Sequence, residues 1–151
     1  MASIGSPQGD AGFFELLTGS YARVVGKELV RAGQDASWLY HRAPFALLAH
    51  NTDPDPRFIY ANATAQACFE YSWEEFVRLP SRLSAEAPDR HERQRQLDEV
   101  ARKGYVSDYR GVRISRSGRR FWIENALIWQ LLDVSGKSHG QAALFDSWRP
   151  L

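Results

Sequence analysis

A chain of 151 residues, 44% of them apolar, with a formal net charge of +1, is long enough to bury one core without disulfides or metal. Near neutrality it has no overall field to recruit nucleic acid or an acidic membrane. A single cysteine, Cys68, excludes an internal disulfide and a multi-cysteine zinc site, and together with the absence of a leader-like apolar run or of the ~18 consecutive apolar residues that span a bilayer it predicts a cytoplasmic protein.

Residues 1–10 are rich in Gly, Ser, Pro and Gln and are expected to be disordered; residues 11–151 read as one domain. From Gly12 to Arg31, Phe13, Phe14, Leu17, Tyr21, Val24, Val25, Leu29 and Val30 recur at helical spacing. They predict an N-terminal amphipathic helix, with Gly33 as its stop and residues 11–33 as its region. A short helix over Ala36–Arg42 and an apolar strand over Phe45–His50 follow, and residues 45–147 form the remaining core. The turn Asn51-Thr52-Asp53-Pro54-Asp55-Pro56 leads to a strand at Phe58–Ala61, and Asn62 is placed to cap a helix over Ala63–Glu70. Ser72 with Glu75 has capping-box spacing and Tyr71 with Phe76 has staple spacing, so a helix starts at Trp73 and Pro80 stops it. Asp89 and Glu92 repeat the capping arrangement for a helix to about Lys103. Three strands then follow, Asp108–Arg116, Arg119–Leu132 and Ser138–Phe145, joined by turns too short for a crossover, so they form an antiparallel meander.

This order resembles the PAS fold, which implies an α+β domain: a five-stranded antiparallel sheet with helices packed on one face around a small pocket, here with the N-terminal helix added. More specific strings resemble the MEKHLA domain family. They are Pro80-Ser81-Arg82-Leu83-Ser84-Ala85-Glu86, Tyr109-Arg110-Gly111-Val112-Arg113-Ile114-Ser115, Gly118-Arg119-Arg120-Phe121, Ile123-Glu124-Asn125-Ala126 and His139-Gly140-Gln141-Ala142-Ala143. The similarity spans about Phe13 to Phe145 and is to the stand-alone bacterial type of this PAS-like domain. It implies a sensory or ligand-binding module that takes an unidentified small molecule between sheet and helices and signals through protein contacts. The alternative is an interaction module with a filled core.

Alternation along Arg119–Leu132 places Phe121, Ile123, Asn125, Leu127, Trp129 and Leu131 on one face, with Gln141 opposite on the next strand. Two amides in an apolar row need partners: each other, nearby backbone, or a ligand. In LOV-type PAS domains the corresponding amides hydrogen-bond a flavin, so the expected ligand residues are Asn125, Gln141, Tyr109, Arg113, Trp129 and Phe121. On this reading Asn125→Leu removes binding and keeps the fold. Flavin photochemistry is disfavoured, because Cys68 lies in Ala67-Cys68-Phe69 on an early helix. Haem is disfavoured because His91 points away from the apolar stripe of its helix. The turn explains Asp53 and Asp55 beside His50 without a metal.

Of the hairpin arginines, alternation places Arg113 with Tyr109 and Gly111, and Arg110 and Arg116 with Val112 and Ile114. A phosphate or carboxylate site is one reading, and the preferred one is that Arg110, Arg113, Arg116, Arg119 and Arg120 pair with Asp108, Glu124 and helix acids. No nucleophile and base pair, phosphate loop or zinc motif is present, so no enzyme activity is expected. The aromatic surplus at Phe13, Phe14 and Leu17 leaves a homodimer contact through the N-terminal helix open.

Overall fold

Asp10 starts the fold: its side chain accepts a hydrogen bond from Phe13 N at 2.9 Å and caps α1 (Ala11–Val25) in the computed structural model, which describes residues 10–151, with residues 87–89 described by backbone alone. The disorder expected of residues 1–9 lies outside that range. α1 stops well before Arg31, because Gly26 takes a left-handed φ of 81° and its N–H closes on Ala22 O. Leu29 and Val30 still pack on the core beyond the helix, which is why the apolar spacing ran on. Asp35 caps α2 (Ala36–His41), and β1 (Ala46–His50) and β2 (Phe58–Ala61) flank the Pro-rich turn.

Asn62 joins these pieces. Its Oδ1 accepts from Ala65 N at 3.0 Å and Leu47 N at 3.1 Å, and its Nδ2 donates to Phe45 O at 3.0 Å and Leu39 O at 3.2 Å. One buried amide thereby caps α3 (Ala63–Phe69) and ties it to α2 and β1. The capping box of Ser72 and Glu75 opens α4 (Trp73–Phe76), with the staple rings Tyr71 and Phe76 at 5.3 Å. After a 3-10 turn at Ser81–Ser84, α5 (Ala87–Lys103) has Glu86 at its N-cap position, three residues before the expected cap Asp89, with a proline in its first turn, where the missing N–H costs nothing.

β3 (Tyr105–Ile114), β4 (Arg120–Leu132), β5 (Ser138–Phe145) and β6 (Ser147–Pro150) complete an antiparallel sheet in the order β2-β1-β5-β4-β3. The expected sheet had five strands. β6 is the sixth, because β5 pairs only with Leu127–Leu132 and leaves the Phe121–Glu124 edge of β4 for the chain that follows.

Both faces of the sheet are covered. In front, α3, α4 and α5 bury Phe58, Phe69, Phe76, Phe121 and Phe145; behind, α1 and α2 bury Leu17, Leu39, Leu47, Trp129 and Leu131. β4 serves both cores through a bulge: Tyr109 pairs with Ala126 and Gly111 with Ile123, which leaves Asn125 as an extra residue at φ 53°. Phe121 and Ile123 face forward before it, Ala126 and Ile128 after it, while Trp129 and Leu131 turn to the back. The single face expected from Phe121 through Leu131 is therefore broken at Asn125.

Candidate functional site

The front core is not filled to the end of the sheet where β1 and β5 meet α5. A cavity of about 50 Å³ remains there, lined by Leu48, His50, Phe58, Phe69, Ser84, Arg93, Leu97, Arg113, Ile123, Ile128, Gln141 and Phe145. That is room for roughly three or four water molecules. An outer depression of about 270 Å³ shares His50, Leu97 and Gln141 with it, so these three lie between the cavity and the depression. A larger, shallower hollow between α5 and the start of β3 is bordered by charges, among them Arg102 and Lys103, which pair with Glu99.

The polar lining is unusual for a protein core. His50 Nδ1 is 3.0 Å from Ser81 Oγ, which also accepts from Arg93 Nη2 at 2.9 Å. Burial, with the Arg93 charge added, pushes the imidazole down to about 3, so it is neutral at ordinary pH. Burial and then the Arg113 charge pull the Arg93 guanidinium down to about 10. Arg113 donates to Val112 O at 2.8 Å and to Tyr109 Oη at 3.3 Å, and Tyr109 Oη donates to Glu92 at 2.7 Å. Gly111 makes room for this pair, since a Cβ there would stand 2.3 Å from Tyr109 Oη. Gln141 Nε2 donates to Leu97 O at 3.1 Å and ties β5 to α5, while its Oε1 is buried without a hydrogen-bond partner among the described residues.

Of the expected ligand residues, Gln141 and Arg113 line the cavity and Tyr109 supports Arg113. Phe121 is buried in the front core against Phe69, at 5.3 Å between ring centroids. Trp129 belongs to the back core, where its Nε1 donates to Ser20 Oγ at 3.0 Å and Tyr21 meets it edge-on. Asn125 is exposed on the bulge and lines none of the three hollows described above. Four hairpin arginines pair with glutamates as expected, Arg110 with Glu124, Arg116 with Glu75, Arg119 with Glu70 and Arg120 with Glu86. None pairs with Asp108, and Arg113, expected to pair as well, is turned instead to Val112 O and Tyr109 Oη.

A family model described as the MEKHLA domain matches residues 11–150. The chain belongs to the MEKHLA domain family. Among solved structures, this MEKHLA domain is similar to the PAS domain of a protein from Colwellia psychrerythraea, at 13% identity and a TM-score of 0.62 over 74% of this chain and 90% of that one. It is also similar to a fungal LOV domain photoreceptor, at 19% identity and a TM-score of 0.58 over 89% and 91% of the two chains. A PAS domain from a two-component sensor histidine kinase gives 20% identity and a TM-score of 0.56 over 76% and 91%. At these identities the likeness shows the PAS and LOV fold. No curated protein matches the chain.

The flavin of LOV domains does not fit this MEKHLA domain. Pockets for ligands of that size enclose about 300 Å³ or more, against about 50 Å³ here. Cys68 is packed in the front core, with its thiol pushed up to about 12 by burial. His91 is exposed, and no cluster of three metal-ligating side chains occurs among the described residues. Arg93 and His50 line the cavity without having been among the expected ligand residues. Arg93 carried a signal, for it stands at i, i+4 and i+7 with Leu97 and Val100, a charge inside the apolar stripe of α5. His50 carried none, since its burial depends on the distant Ser81 turn.

Proposed function

We propose that this MEKHLA domain is a sensory module, not an enzyme, that binds a small molecule between the sheet and α5 and reports occupancy through contacts with other proteins. The observation behind this reading is the buried, unpartnered Oε1 of Gln141, a residue that lines a cavity together with two buried arginines. Buried polar groups are satisfied in folded proteins, and one that the protein leaves unpaired on a residue lining a cavity is a place for a ligand atom. A route to the back of the sheet supports the signalling part. Gln141 pairs with Gln130 across β5 and β4, and the neighbouring Trp129 bonds Ser20 on α1. Any homodimer contact through α1 would use its outward side, because Leu17 is fully buried and Phe13 stacks on Tyr60 at 5.4 Å.

Native mass spectrometry of freshly purified protein tests the reading. A bound species of low mass, lost on denaturation and absent from Gln141→Leu, is the expected result. Apo mass alone, with no small metabolite raising the melting temperature, overturns it. That outcome would favour a filled-core interaction module, a reading supported by the five phenylalanine rings that occupy most of the space before the sheet.

A further inference from the structure

The geometry points to a specific class of occupant: a small oxyanion of carboxylate type that carries its own hydrogen-bond donor, held between Arg93 and Arg113 with the donor turned to Gln141 Oε1. The inference rests on the binding reading above and narrows it to a chemistry. Arg93 and Arg113 are only 8% and 7% exposed, and neither meets a carboxylate among the described residues. Every other arginine of the β3–β4 hairpin does. Each guanidinium has five N–H donors. Arg93 gives one hydrogen bond and Arg113 gives two, so most donors of these two cavity-lining side chains remain unspent among the described residues.

Burying cations in this way is costly unless an anion joins them, and a planar oxyanion accepts guanidinium donors in bidentate fashion. The anion alone would leave Gln141 Oε1 unsatisfied, because that atom accepts and cannot donate. An O–H or N–H on the ligand meets it. The cavity volume limits the whole to about four or five heavy atoms, the size of bicarbonate or glycolate.

The test uses the full chain at constant ionic strength, with chloride replaced in turn by sodium glycolate, bicarbonate, acetate or sulfate, and with neutral glycolamide added separately. Melting temperature and calorimetric Kd are read. Glycolate or bicarbonate is expected to stabilise saturably, with acetate weaker because it lacks the donor and sulfate no better than chloride. Arg113→Gln should weaken glycolate by about tenfold or more, the factor that hydrogen bonds to a charged group carry. Arg93→Met should melt higher than the parent in chloride, having lost a buried charge, and should not respond to glycolate. A merely structural arginine would lower the melting temperature. Gln141→Leu should remove the preference for glycolate over acetate. The inference is overturned if neither acid exceeds chloride, or if the response survives in both arginine variants. Stabilisation by glycolamide without glycolate would overturn the anion and leave the binding reading standing.

Discussion

His50 carries a proton balance that can be measured apart from any ligand. Its pKa is about 3 in the fold, held down by burial and by Arg93, against 6.5 in the unfolded chain. Between those values the unfolded state binds a proton that the folded state refuses, so stability is complete above pH 6.5 and is lost as pH falls below it. From pH 8 to pH 5 the loss should be about 2 kcal/mol by linkage. Urea denaturation at the two pH values checks this, and His50→Gln should flatten the difference. Equal stability of the parent at both would mean that the surroundings of His50 open to hydrate the imidazolium. The window is clean because the perturbed carboxylates, such as Glu70 at about 2, have depressed folded values and release their contribution only below pH 4.5.

At the scale of elements, the β4 bulge decides what the sheet offers to each side. A left-handed φ of 53° suits Asn and Gly and opposes a β-branched side chain. Asn125→Gly should leave stability within about 0.5 kcal/mol, whereas Asn125→Val should cost about 1–3 kcal/mol. Chemical denaturation resolves the two, and equal stability would show that the bulge relaxes. Asn125→Leu, expected from the sequence to abolish binding, should leave the cavity's response to glycolate unchanged, because the side chain is exposed away from it. The misreading has a physical source: alternation is a property of one strand, whereas a bulge is a property of a pair, here Tyr109 with Ala126 and Gly111 with Ile123. On β3 opposite the bulge, where the extra residue belongs to β4, the alternation was legible: Tyr109, Gly111 and Arg113 are all buried together. Caps were legible for a similar reason: Asn62 and the Ser72–Glu75 box act within three residues of themselves. Gly26 and Gly33 are both left-handed, and only the fold shows which of them ends the helix.

Across the whole molecule, α1 is the cover of a second core. The aromatic surplus that left a dimer open in the sequence is largely spent within the chain, with Phe13 on Tyr60, Leu17 fully buried and Tyr21 against Trp129. Arg23 Nη2 adds a bond to Leu132 O at 2.5 Å at the end of β4. Removing residues 1–33 would therefore uncover Leu47, Tyr60, Trp129 and Leu131 together, an apolar patch on the strands that also carry the cavity. Fully exposing side chains of this kind costs about 1.5–3 kcal/mol each, enough in sum to consume the 5–15 kcal/mol by which a domain is stable. The shortened chain should lose its cooperative thermal transition and bind a hydrophobic dye, whatever its sedimentation coefficient. A sharp transition near that of the parent, with no dye bound, would show instead that α2 and the sheet close the back core by themselves, and that α1 is free to move when the cavity fills.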